Sequence, residues 1–404
     1  MLVLYYMDKI ITDETKIDEL LTRGVEDVLI KEELRKDLLS GRQLRIKLGI
    51  DPTGPRIHIG RAIPLRKLRE FQKLGHQVVF IVGTFTAQVG DASDKSDKRP
   101  MLSKADIDEN IKDYKSQIAK IIDVSKAEFH YNSDWLAKLT FDEVIKLTEC
   151  FSVQQMLARR NFKDRYENGQ EISLREFMYP LMQGYDSVAI KADVELGGFD
   201  QLFNLKAGRV LQESYGMPKQ HIMVGTMLEG TDGRKMSTSW GNIISIVDDP
   251  HMMFGKIMSL HDNFIIKYFT LCTDLTLLEV EEKKQRMEAG ENPRDIKMEL
   301  AVTIVTLYHN DKEANLAKQS FIEIFQKGGI PDIVAEITSK KDEDLGTVLV
   351  RGGIIESKTE FKRLIEQGAI SQEDGTKIED FKVFAVSGIY KIGKKRFAKI
   401  VIEE

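Results

Sequence analysis

Two short segments of this chain hold residue types suited to phosphate chemistry. The first runs Gly49-Ile50-Asp51-Pro52-Thr53-Gly54-Pro55-Arg56-Ile57-His58-Ile59-Gly60-Arg61. It places a carboxylate, tight-turn residues and a histidine just ahead of a stretch with helical periodicity. A helix N-terminus offers oriented N–H groups and a positive dipole to phosphate. Gly60 admits close approach of the backbone to a ligand. The second segment, Gly233-Arg234-Lys235-Met236-Ser237-Thr238-Ser239, is a small loop with two adjacent cations followed by hydroxyls. Lys235 on such a loop can close over a polyphosphate as charge develops on the departing group, with Arg234 as a second cation. Either segment alone is an ordinary loop. In this order, each beside a strand-like run, they read as two halves of a nucleoside triphosphate site.

A third constellation lies between them. Tyr179, Gln183 and Asp186 are spaced four and three apart in a helical stretch, so they share one face. Gly197-Gly198-Phe199-Asp200-Gln201 follows on a glycine-rich turn. A phenol, amides and carboxylates gathered in this way suit both ends of an amino acid. Seen alone, Tyr179 and Gln183 are equally an amphipathic helix face.

The elements that must position these groups follow from periodicity. Residues 45–50 read as a buried strand, 51–55 as a turn and 59–74 as a helix closed by Gly75. Residues 77–83 form a continuous apolar run, as expected of a strand covered on both faces. Strand, turn, helix and strand make a βαβ unit, whose ligands lie beyond the carboxyl ends of the strands. Residues 12–39 have helical spacing. Residues 103–122 read as one long helix opened by Ser103 and Asp106 in capping-box spacing. Further helices are expected over 141–163 and 174–185, and strands over 188–196 and 220–228. The fold class expected is α/β, a Rossmann-like doubly wound parallel sheet in a catalytic domain over 1–245. A helical domain over 246–330, a polar linker over 331–344 and a small α+β module over 345–404 follow.

Composition narrows the classes. The 404 residues are 42% hydrophobic and 30% charged, a globular balance with material for several domains. The formal net charge of −5 gives no overall basic field. The last sixty residues carry a net +2 while the remainder sums to −7, so a nucleic-acid footprint should be local and C-terminal. Lys358, Lys362 and Arg363 fall close together on one helical stretch there, and Lys394, Lys395 and Arg396 form a cationic run near the end. Cys150 and Cys272 have no metal-type spacing, so no protein-bound metal and no disulfide framework is expected, and the compartment expected is the cytoplasm. The apolar opening, residues 1–6, is too short for a signal peptide, and no run approaches a membrane span.

The two phosphate segments resemble the HIGH and KMSKS elements of class I aminoacyl-tRNA synthetases. With Gln183-Gly184-Tyr185-Asp186 and Gly197-Gly198-Phe199-Asp200-Gln201, the chain resembles the bacterial tyrosyl-tRNA synthetase family over nearly its whole length. The resemblance implies activation of tyrosine by ATP and transfer to the 3′ end of tRNA(Tyr), with Mg2+ carried mainly by the ATP phosphates. It implies that Asp186 accepts the substrate hydroxyl, while Asp91, Tyr179 and Gln183 hold the ammonium and Gln201 lies near the reacting carboxylate. Asp51, Thr53, His58, Gly60, Asp200, Lys235, Met236 and Ser237 would border ATP, and Lys95 and Arg99 would be mobile cations for pyrophosphate. The C-terminal module resembles a small RNA-binding unit first known from a ribosomal protein, which implies a tRNA contact. The family also implies a homodimer without an editing domain. Three departures stand out. Arg61 replaces the second histidine of HIGH, Thr238 the second lysine of KMSKS, and Lys47 occupies a position where one branch carries a tyrosine that touches the substrate hydroxyl. A tryptophan-specific relative and a catalytically silent RNA-binding relative remain alternatives on the sequence.

Overall fold

A computed structural model describes residues 9–91, 102–327, 335–355, 357–393 and 396–402. The chain divides into two compact units, one of residues 1–248 with 259–296, the other of 249–258 with 297–404. The division falls inside the stretch read as a single helical domain.

The first unit is built on a six-stranded sheet: β1 (Val25–Leu29), β2 (Arg45–Ile50), β3 (Gln77–Val82), β4 (Ala127–Tyr131), β5 (Val194–Gly198) and β6 (His221–Gly225). The order is β1-β6-β5-β2-β3-β4, all parallel except β1, which runs antiparallel to β6 at the edge. The chain leaves β2 toward β3 and β4 on one side and later returns to β5 and β6 on the other. The reversal between β2 and β5 is the topological switch point at which such sheets bind ligands. β3 is apolar from Val78 to Val82 because helices cover both faces of the sheet; Val78 to Ile81 are all fully buried.

The expected βαβ opening is present, with its helix at Ile59–Lys73. Four local readings are corrected. β1 lies within the stretch read as helical, because Val-Glu-Asp-Val-Leu on a sheet edge has no clear alternation. The long helix over 103–122 is two, Lys104–Ile111 and Tyr114–Ala119, since Tyr114 and Gln117 turn inward to donate to the carbonyls of Gly54 and Pro55. The helix over 141–163 is interrupted where Ser152 and Gln155 form a new capping box. The helix beginning at Leu174 runs on to Ala189, so β5 starts only at Val194.

In the second unit, helices Pro250–Met258 and Asp311–Lys327 precede a four-stranded sheet ordered β7-β10-β9-β8. Its strands are β7 (Ala335–Ser339), β8 (Ile370–Gln372), β9 (Gly388–Ile392) and β10 (Arg396–Ile402). β7 corrects the linker reading: residues 335–339 pair in parallel with β10. Polar alternation on an edge strand resembles a linker when its partner is some sixty residues away. Helices Leu345–Arg351 and Lys358–Glu366 cover a core that includes Leu345, Leu349, Phe361, Tyr390 and Ile400. Gly346 lets these helices meet, since a Cβ there would lie 2.7 Å from the Phe361 ring.

Candidate active site

The carboxyl ends of β2, β3, β5 and β6 open onto a cleft of about 300 Å³. His58 caps the Ile59–Lys73 helix, its Nδ1 accepting the Arg61 N–H at 3.3 Å. Burial, reinforced by Arg61 and Lys235, pushes the imidazole down to about 3, so it is neutral across the physiological range. A Cβ on Gly60 would lie 3.1 Å from His58 Nδ1 and 3.4 Å from Met236 Sδ. The two phosphate segments therefore touch, and glycine is what permits it. A second contact follows at Gly54, where a Cβ would be 3.3 Å from Thr238 Cγ2. Arg61 reaches into the cleft and donates to Thr53 Oγ1 at 2.6 Å.

The Lys235 loop is held by Asn242. Its Oδ1 accepts the Ser237 N–H at 2.9 Å, and its Nδ2 donates to Asp232 at 2.7 Å. Lys235 pairs with Asp200 at 2.9 Å, both partly exposed at the cleft. Arg234 differs from Lys235, Met236, Ser237 and Thr238, which line the cleft. It is absent from the cleft wall, paired with Asp232 and stacked on Trp240 at 4.2 Å. Lys95 and Arg99 lie outside the described residues.

The floor of the cleft is a buried polar network. Asp51 accepts from Thr86 Oγ1 at 2.7 Å and Tyr179 Oη at 2.9 Å. Gly83 makes room for it, as a Cβ there would lie 2.0 Å from Asp51 Oδ1. Asp91 accepts from Gln201 Nε2 at 2.6 Å. Asp186 lines the cleft, accepting from Trp135 Nε1 at 2.7 Å and Asn132 Nδ2 at 3.3 Å. Burial pushes its carboxyl up to about 7, against the lowering effect of Lys47, Trp135 and Asn132. Two of its acceptor positions are used, and the carboxylate retains capacity for a ligand donor. Sequence reasoning assigned no role to Trp135, Asn132, Thr86 or Glu195. These groups act across sheet strands and leave no local periodic signal.

In the C-terminal module, Lys358, Lys362 and Arg363 lie on the Lys358–Glu366 helix. Lys362 Nζ stands 5.6 Å over the ring of Phe381, which is itself half exposed. Arg396 is drawn inward, donating to Glu360 at 2.9 Å and to the Ile354 carbonyl at 2.8 Å. Lys394 and Lys395 lie outside the described residues.

A sheet with this switch point, a helix N-terminus at His58 and a lysine loop against it define a class I synthetase catalytic domain. Residues 39–326 match the family model for class I tRNA synthetases of the tryptophan and tyrosine type. A tyrosine--tRNA ligase of Thermotoga maritima is 45% identical over 95% of this chain and 96% of its own length. One from Carboxydothermus hydrogenoformans is 46% identical over 96% and 98%. A truncated mitochondrial tyrosyl-tRNA synthetase from Aspergillus nidulans shares the fold, with a TM-score of 0.64 at 22% identity over 77% of this chain and 94% of that one. The chain belongs to the tyrosine--tRNA ligases, a family of class I aminoacyl-tRNA synthetases.

Proposed function

We propose that this cleft binds tyrosine and ATP side by side and joins them as tyrosyl-adenylate, and that the enzyme then passes tyrosine to the 3′ end of tRNA(Tyr). The observation that carries the reading is the buried carboxylate of Asp186, aimed into the cleft with acceptor capacity unspent. A phenol hydroxyl donates to such a group. Phenylalanine brings no donor and leaves that remaining capacity unfilled, the principle for which tyrosine against phenylalanine is the standard example. Indole offers a donor from a different position on a larger ring, which disfavours tryptophan.

In the first step a tyrosine carboxylate oxygen attacks the α-phosphorus of ATP, and the bond to the bridging oxygen of pyrophosphate breaks. Asp91, Tyr179 and Gln183 hold the ammonium and Gln201 lies beside the carboxylate, which fixes the attacking geometry. The N-terminus of the Ile59–Lys73 helix, with neutral His58, faces the phosphates. His58 serves there as a hydrogen-bonding group and not as a cation. Asp51, Thr53 and Asp200 border the nucleotide, with Met236 and Ser237 from the loop. Lys235 exchanges Asp200 for the developing charge on pyrophosphate, aided by Arg61 and by Lys95 and Arg99. Magnesium enters with ATP, held by its phosphates. Arg234, bound to Asp232 and Trp240, contributes through the loop's shape.

For tRNA, Lys358, Lys362 and Arg363 offer exposed cations on one helix, and Lys394 and Lys395 are cations of the same module by sequence. Compact cationic surfaces of this kind read folded RNA by phosphate contacts and shape. A homodimer is supported by large apolar side chains exposed within residues 141–174, among them Phe141 at 81% and Leu174 at 80%. Exposed apolar side chains of this size suit a protein interface where they come together. Leu174→Glu is expected to give monomers in sedimentation, and an unchanged dimer would exclude this surface. Among the described residues no helix is long and apolar enough to cross a membrane, in keeping with a cytoplasmic enzyme.

The test is pyrophosphate exchange with ATP and magnesium, run separately with tyrosine, tryptophan and phenylalanine. Exchange with tyrosine alone is expected. Exchange driven by tryptophan would overturn the pocket assignment.

A further inference from the structure

Beneath the amino-acid end of the cleft lies an ion pair that the catalytic reading does not use. Lys47 on β2 and Glu195 on β5 are 0% and 1% exposed, with Nζ and Oε1 2.9 Å apart. Lys47 Nζ also donates to the Gln183 carbonyl at 2.8 Å and to Ser187 Oγ at 2.7 Å. Its three N–H groups are thus spent on protein, and none is left for a substrate hydroxyl. Glu195 is similarly saturated. Besides Lys47 it accepts from Gln183 Nε2 at 3.1 Å, Ser187 Oγ at 3.2 Å and Gln220 Nε2.

The consequence falls on Gln183, which lines the cleft. A side-chain amide has a donor end and an acceptor end, and its environment decides which faces where. Glu195 takes the Nε2 end, so Oε1 is the end left for the cleft. An ammonium group has only donors to offer, and Oε1 is the acceptor it needs. Every group around Glu195 donates to it, and the Lys47 ammonium balances its buried charge.

We propose that Lys47 and Glu195 form a buried positioning pair for amino-acid recognition: Lys47 holds Glu195, and Glu195 fixes the Gln183 amide with its carbonyl toward the substrate ammonium. The inference rests on the proposed tyrosine site. The pair is specific to one end of the substrate. At Asp186, which would meet the phenol, Lys47 and Glu195 act in opposite directions, Lys47 the more strongly, so removing both charges together disturbs the hydroxyl contact less than removing Lys47 alone.

The experiment compares the wild-type enzyme with Lys47→Met/Glu195→Gln, which removes both charges at similar volume. Glu195→Gln alone serves as the second variant should the double one fail to fold. Pyrophosphate exchange gives KM for tyrosine, KM for ATP and kcat. Competitive inhibition by 3-(4-hydroxyphenyl)propionate, which has the phenol and carboxylate but no ammonium, gives the control. With the amide free to turn, the tyrosine KM is expected to rise roughly 10- to 100-fold, the loss of a hydrogen bond to a charged group. The KM for ATP, kcat and the inhibition constant should stay within about threefold. Equal weakening of tyrosine and the inhibitor would mean that the pair only shapes the pocket, and would overturn the proposal. No change in either would overturn it as well. Absence of tyrosine-dependent exchange in the wild-type enzyme would count against the tyrosine site itself, and against this inference with it.

Discussion

Replacing Asp186 by asparagine should make the unliganded enzyme relatively more stable as pH rises while weakening its hold on tyrosine. The carboxyl is raised from 3.8 to about 7, chiefly by burial. The sign follows from proton counting. Between those values the unfolded chain has lost its proton and the folded chain keeps it. Stability is therefore fully present below the unfolded value and is lost as pH rises toward 7. Roughly three units correspond to about 4 kcal/mol withheld at pH 8 but only partly at pH 5. With unfolding entropies of about 2.1 cal/mol/K per residue, the whole of it is roughly 5 °C for a chain of this size, of which about 3 °C falls between pH 5 and pH 8. Asparagine adds a cost that does not depend on pH. Its NH2 would face Asn132 Nδ2, and Asn132 cannot turn because its Oδ1 accepts the Phe85 N–H at 2.8 Å. The readout is therefore the difference between variant and wild-type Tm measured at pH 5 and at pH 8 without ligand. The variant should gain about 3 °C on the wild type between the two. In exchange assays its tyrosine KM should rise by 10- to 100-fold, since a charge-assisted bond to the phenol is lost. A Tm difference that does not move with pH would refute the claim that a buried, reluctantly ionised carboxylate forms the pocket floor.

Three other outcomes are expected. Lys235→Ala should slow single-turnover adenylate formation by about 100-fold while leaving tyrosine affinity within a factor of two, and an equal loss in both would remove the transition-state role. Because His58 is held down to about 3 by burial and neighbouring cations, kcat/KM for ATP should show no inflection from this residue between pH 5 and 8. An inflection near 6.5 that disappears in His58→Asn would show that it titrates in the working range. Lys362→Ala/Arg363→Ala should raise KM for tRNA and reduce the salt dependence of its binding by roughly one phosphate contact per cation, with pyrophosphate exchange unchanged. A loss of exchange would place these cations outside a purely RNA-facing role.

Much of the site was legible because its chemistry is carried by local segments. Asp51 to Arg61 had to be a turn into a helix, since Pro52, Gly54 and Pro55 exclude other structure and the apolar spacing resumes at Ile59. Tyr179, Gln183 and Asp186 had to share a face from helical spacing alone. Boundaries were less legible where an inward-facing residue or a cap competes with periodicity, as at Tyr114 and Ser152.

The chain order of amino acids by itself determined the residue types available for phosphate and amino-acid chemistry, the βαβ opening and the cationic C-terminal helix. These depend on turns, caps and periods that span only a few residues. Tertiary structure alone decided which groups meet. It brought Trp135 and Asn132 to Asp186, Gln201 to Asp91, Lys47 to Glu195 and Met236 to Gly60. It also turned Arg234 away from the cleft onto Trp240 and recruited β1 and β7 as edge strands. Such contacts join residues far apart in the chain, and their identity depends on sheet order and register, which no local pattern encodes.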